Sequence, residues 1–126
     1  MRMHFLVYHR LLAQWFGLIR ANEGFLDIPR AQGRRKVTVI RHTGRILDDE
    51  NLAFSAKPIF DVLRPARTDE GVYKSGKRKG EAWIRRRIGH GLIQEDDPAH
   101  VVRVVLNGPL LKGERPYTLI TIEEVG

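Results

Sequence analysis

Apolar and polar residues alternate along this chain with two distinct periods. Leu12, Trp15, Phe16 and Ile19 recur at helical spacing, which predicts an amphipathic helix over about 9–22 that buries an aromatic face and stops at Glu23-Gly24. The short β-branched run KVTVIR, Lys36 to Arg41, reads as a strand, and His42-Thr43-Gly44 supplies its turn. Between Asp48 and Leu63 a second helical stripe runs through Leu52, Ser55 or Ala56, Ile59 and Leu63. Pro58 lies inside it, so the helix either kinks there or starts its regular part there. Further on, HVVRVVL and YTLITIEE are strand patterns separated by Asn107-Gly108-Pro109, and adjacency in the chain predicts that they pair antiparallel.

Between the second helix and these strands, residues 64–90 carry glycine and charge in place of a clear period. They read as an inserted arm with a short helix from Glu81 to Ile88. The order helix, strand, helix, arm, strand, strand predicts a single α+β domain over 1–126. It has a small mixed or antiparallel sheet with helices packed on one face.

With 126 residues and 42% hydrophobic content, the chain is long enough to bury a core without disulfides. It has no cysteine, which excludes a disulfide framework, a zinc knuckle and a thiol nucleophile. The apolar opening is broken by His4, His9, Arg10 and Gln14 before a span is complete, and no small-residue cleavage site follows. The expectation is a cytoplasmic protein without a membrane partner.

Charge is unevenly placed. Residues 1–63 carry ten Lys/Arg against six Asp/Glu, residues 64–90 nine against three, and residues 91–126 three against six. The arm is the basic part of a chain whose net charge is +7. Clustered cations of this kind suit a polyanion, because phosphate contacts release condensed counterions. A solvated, solubilising loop has the same composition. Within the arm, Tyr73 and Trp83 are interleaved with KSGKRKG and IRRRIG, offering rings for base stacking or for anchorage to the body. Its glycines form no nucleotide-cradling loop, so no nucleotide cofactor is expected.

Against this basic background stands LDDEN. Asp48 suits a helix N-cap, with Asp49 and Glu50 in the first turn at the positive end of the helix dipole. A second acidic pair, Asp96-Asp97, precedes a strand and is bracketed by His90 and His100. Hard cations such as Mg²⁺ take carboxylate oxygens from more than one segment. Two acidic clusters with Lys57 between them and a basic arm are therefore the parts of metal-dependent phosphodiester cleavage. The histidines add ligands or proton carriers, or simply hydrogen-bond at a strand edge.

LDDENL, then KPIFDVL, then GLIQEDDPAHV before a strand resembles the RusA family of Holliday-junction resolvases of phages and prophages, over roughly residues 36–124. The resemblance implies a homodimeric crossover-junction endonuclease of DNA recombination and repair, cutting four-way DNA junctions by paired hydrolysis with Mg²⁺, or Mn²⁺ in its place. It implies Asp48, Glu50, Lys57 and Asp97 as catalytic residues, with Asp48, Glu50 and Asp97 on the metal and Asp96 beside them. The expected DNA contacts are Lys77, Arg78, Lys79, Arg85, Arg86 and Arg87. Three features depart from the family pattern: Glu50 replaces an aspartate, Lys57 lies three residues farther from Asn51, and the arm is longer. Two other classes share these features: a non-catalytic basic DNA-binding module, and an assembly protein of a mobile element whose arm contacts a partner chain.

Overall fold

A computed structural model of the chain describes residues 5–22, 25 and 27–125, of which 5–10 are described as backbone only. The architecture is α+β: helix α1 (Phe5–Ala21), strand β1 (Arg35–His42), helix α2 (Asp49–Leu63), then strands β2 (Pro65–Val72), β3 (Ala82–His90), β4 (Val101–Gly108) and β5 (Tyr117–Glu124). The stop expected at Glu23-Gly24 lies outside the described residues. No helix among the described residues is long and apolar enough to cross a membrane.

The sheet order is β4-β1-β5, with β1 parallel to β4 and antiparallel to β5. This corrects the expected pairing of β4 with β5. Both strands instead flank β1, whose Val37 and Val39 are fully buried, and α2 forms the crossover that a parallel β1–β4 pair requires. Strand periodicity sets the faces: Val37, Val39 and Val101 point to the helices and are buried with Ala56, Ile59, Phe60, Leu63, Leu92 and Ile93. The opposite face, through Val102, Val104, Leu106, Ile40 and Leu119, carries no helix among the described residues and is partly exposed.

Helix α2 runs unbroken through Pro58, which is itself buried. Proline removes the hydrogen bond to the carbonyl of Phe54, but Ile59, Phe60 and Leu63 around it are fully buried, and that packing outweighs the lost bond. Arg64 is the C-cap in extended conformation, and Pro65 bars any continuation.

The arm is a β-hairpin. The expected helix over Glu81–Ile88 is strand β3, because its residues alternate with period two: Trp83, Arg85 and Arg87 stand on the face that opposes Gly71, Asp69 and Arg67 of β2. Trp83 covers Gly71, where a Cβ would lie 2.3 Å from the indole. The register shifts by a bulge beside Arg67, and Gly89 is needed there, since a Cβ would fall onto the carbonyl of Arg64. The hairpin leaves α2 at Leu63 and returns where the Ile93 amide donates to the Leu63 carbonyl (3.1 Å). It is thus an insertion within the β1-α2-β4 crossover.

Two polar groups tie this core together. Arg35, only 2% exposed, donates to Glu124 Oε1 on β5 (2.7 Å), the Pro29 carbonyl (2.8 Å) and the Leu92 carbonyl (3.0 Å). His90 is 9% exposed and stacks on Phe16 at 4.0 Å, with Phe25 edge-on at 4.9 Å. Its Nε2 lies 2.9 Å from the Phe16 carbonyl, which can only accept, so Nε2 carries the proton of the neutral ring. His90 therefore locks β3 to α1 and is not placed as a metal ligand.

Phe60→Ala is expected to lower unfolding free energy by about 3–5 kcal/mol, measured by denaturant titration. Burial holds the His90 pKa below its usual value, with the Phe16 hydrogen bond opposing and Arg20 adding to the effect. The unfolded chain then binds the proton more readily, so stability is present above the ordinary histidine value and is lost as pH falls through the folded one. Unfolding free energy measured from about pH 7.5 to about pH 5 is expected to fall, and His90→Gln is expected to flatten that fall.

Candidate nucleic-acid interface

The LDDEN stretch folds as a capped helix start. Asp48 is the N-cap, and both its carboxylate oxygens are engaged: Oδ1 accepts from the Asn51 amide (2.8 Å) and Oδ2 from the Asn51 side chain (3.2 Å). Asp49 and Glu50 occupy the first turn and are exposed. This end of α2 is fixed by Asn107, whose side-chain amide brackets the backbone of Leu47, accepting from its N–H (3.1 Å) and donating to its carbonyl (2.8 Å). Asn107 lies at the C-terminal end of β4.

Asp97 stands at the other end of the same strand. Its Oδ1 accepts from the His100 amide (3.1 Å) and from His100 Nδ1 (2.7 Å), while its carbonyl accepts from Val101, the first residue of β4. The hydrogen bond from His100 is the main cause that holds the Asp97 carboxyl below the usual carboxylate range. His100 is thereby placed as the partner of Asp97. Asp96, 15% exposed, faces Arg103 at 3.7 Å.

From Val101 to Asn107 a strand covers about 20 Å. Asp48 and Glu50 thus stand at one end of β4, and Asp96 and Asp97 at the other. Within one chain this distance is too long for a single cation to touch both pairs. Among the described residues no three His, Asp or Glu side chains gather as a metal-binding group.

Beside Asp96 lies instead the C-terminal half of α2. Asp61 is half-buried there, and its carboxyl is raised above the usual range by burial, with Arg64 opposing and the charge of Asp96 adding to it. Lys57, one turn earlier, shares with Asp61 a cleft of about 330 Å³ walled by Arg64, Arg67 and Arg87 and floored by Leu12 and Ile88. Arg64 Nε lies 2.6 Å from Glu95.

The expected DNA contacts all fall on the hairpin. Lys77, Arg78 and Lys79 form the exposed turn between its strands, where Arg78 lies over Tyr73 at 5.6 Å and pairs with Glu81 at 3.3 Å. Arg85 and Arg86 are exposed on opposite faces of β3, Arg85 lying over Trp83 at 4.9 Å. Arg87 differs from them: it turns into the cleft and pairs with Asp69 at 3.2 Å. One hairpin face therefore carries cations from the turn, past Trp83 and Arg85, to Arg67 and Arg87, and on to Lys57 and Arg64 on α2. Such a track can hold successive phosphates of a nucleic-acid backbone without reading bases.

The sequence reading did not single out Arg64, Arg67, Asp69 or Asn107. A signal for Arg67 and Asp69 was present, in that Arg67, Asp69 and Gly71 match Arg87, Arg85 and Trp83 at strand period across a glycine-containing turn. No family model, curated protein or solved structure matches this chain.

Proposed function

We propose that this protein is a homodimeric, Mg²⁺-dependent endonuclease for branched, four-way DNA. The observation that carries the DNA half of the reading is the series of cations along one hairpin face, with Asp69 among them, that leads to the cleft beside Lys57. Its residues are Arg-rich and interleaved with Tyr73 and Trp83, which suits a sugar-phosphate backbone with locally unstacked bases. The catalytic half rests on the resemblance of LDDEN, Lys57 and EDDP to the RusA pattern. The chain's own residues divide the work accordingly. The hairpin cations hold the backbone, Lys57 faces the phosphate from α2, and the carboxylates Asp48, Glu50, Asp96 and Asp97 are the candidate holders of the metal.

Because the two acidic pairs stand at opposite ends of β4, the reading requires the pairs to meet across a dimer, the 48–50 helix start of one copy facing the 96–97 loop of its partner. A second reading, a DNA-binding module without catalysis, is favoured by the capping bonds that occupy Asp48 and Asp97. It retains the hairpin contacts and dispenses with the metal.

Incubation of a synthetic four-way junction with Mg²⁺ distinguishes the two. Wild type is expected to give metal-dependent incision, while Asp48→Asn and Asp97→Asn each abolish it. Mixing the two inactive variants with subunit exchange is expected to restore incision, since one heterodimer site then keeps both native acids. Absence of product with wild type across divalent metals, together with salt-sensitive binding, would favour the non-catalytic module.

A further inference from the structure

The cleft at the root of the hairpin has a chemistry of its own. Arg67 and Arg87 are directly opposite each other in the antiparallel β2–β3 pair, an arrangement of like charges that destabilises a ladder. A single carboxylate lies between them, Asp69, at 3.7 Å from Arg67 Nε and 3.2 Å from Arg87 Nε. Asp61 on α2 is the other acid whose carboxyl feels the charges of Arg67 and Arg87. Arg67 Nη1 is also buried without a hydrogen-bond partner, a costly state for a charged donor. Lys57 and Arg64, the latter paired with Glu95, bring two further cations to the same cavity from α2, and Asp61 is the acid on its wall.

We infer that this cleft is a phosphate-binding site, formed by Arg67 and Arg87 from the hairpin together with Lys57 and Arg64 from α2. A tetrahedral oxyanion offers acceptors in several directions at once, which matches donors converging from three elements better than a planar carboxylate does. It would give Arg67 Nη1 its missing acceptor and place negative charge between the two opposed arginines. The cationic walls disfavour a metal ion, and Leu12 and Ile88 complete the lining. Asp61 lines the same cleft, its half-buried carboxyl raised above the usual range by burial, with the charges of Arg64, Arg67 and Arg87 opposing. The phosphate group is shared by two sources, a backbone phosphodiester and a free phosphate. The first rests on the DNA reading above, and the second stands without it.

Calorimetric titration of the full chain with inorganic phosphate, at constant ionic strength, tests the site without any DNA. Wild type is expected to bind, and Arg67→Gln/Arg87→Gln to weaken binding roughly tenfold or more. Lys57→Gln, an exposed position on α2 that leaves the hairpin untouched, is expected to weaken it several-fold and decides the matter if the double variant does not fold. Lys112→Gln, in the loop between β4 and β5, removes the same charge elsewhere and is expected to leave binding unchanged. Saturating phosphate that also weakens junction binding assigns the seat to a backbone phosphodiester, whereas junction binding indifferent to phosphate assigns it to the free anion. No heat with wild type, or equal affinity in wild type and folded cleft variants, overturns the site.

Discussion

The parallel pairing of β1 with β4 is the constraint on which the rest of the molecule depends. Two parallel neighbours cannot be joined by a tight turn, so the chain must travel back along the sheet, and α2 makes that journey with Ile59, Phe60 and Leu63 pressed onto Val37, Val39 and Val101. The two ends of the crossover are pinned by different devices: Asn107 grips the backbone of Leu47 at one end, and the Ile93 amide meets the Leu63 carbonyl at the other. Everything chemical about the protein follows from this geography. The acids of LDDEN are carried to one end of the sheet, while those of EDDP are delivered, with Lys57, Asp61 and the hairpin, to the other.

Electrostatic cost is distributed unequally over the fold. Arg35 is the most buried cation among the described residues, and its guanidinium has three hydrogen-bond partners on three segments, so its desolvation is compensated by the structure itself. At the hairpin root Arg67 and Arg87 share Asp69 and Arg64 pairs with Glu95, while Arg67 Nη1 is buried without a hydrogen-bond partner. A fold under selection for stability alone has little reason to set Arg67 opposite Arg87. The inferred anion would relieve that tension, which puts the expected point of contact with a phosphate at the junction of hairpin and helix, some way from the exposed turn of Lys77, Arg78 and Lys79.

Much of the framework could be read from the residues. The helical stripes of α1 and α2, the β-branched run of β1, the N-cap at Asp48 and the edges of β4 and β5 are local properties, set by period, capping chemistry and breakers. The hairpin was harder, because charged residues at strand period look like a solvated loop until Trp83 is seen to cover Gly71. Strand partnership was not local at all: nothing in HVVRVVL or YTLITIEE says that β1 lies between them. The same limit governs the site. Asp48, Glu50, Asp96 and Asp97 could be named from motif spacing, but the strand length that separates the pairs depends on which strands are neighbours. The cleft formed by Arg64, Arg67 and Arg87 depends on a hairpin register that bulges at its base.

On the proposed reading DNA is held along the hairpin and its root. Hydrogen–deuterium exchange of the full chain, with and without a four-way junction, locates that contact. Protection on DNA addition is predicted to concentrate in β2, the 73–81 turn, β3 and the last turns of α2, and to leave the open sheet face of β4 and β5 unchanged. Protection confined to that sheet face, or none anywhere at a junction concentration that shifts the protein in a gel, would contradict the account.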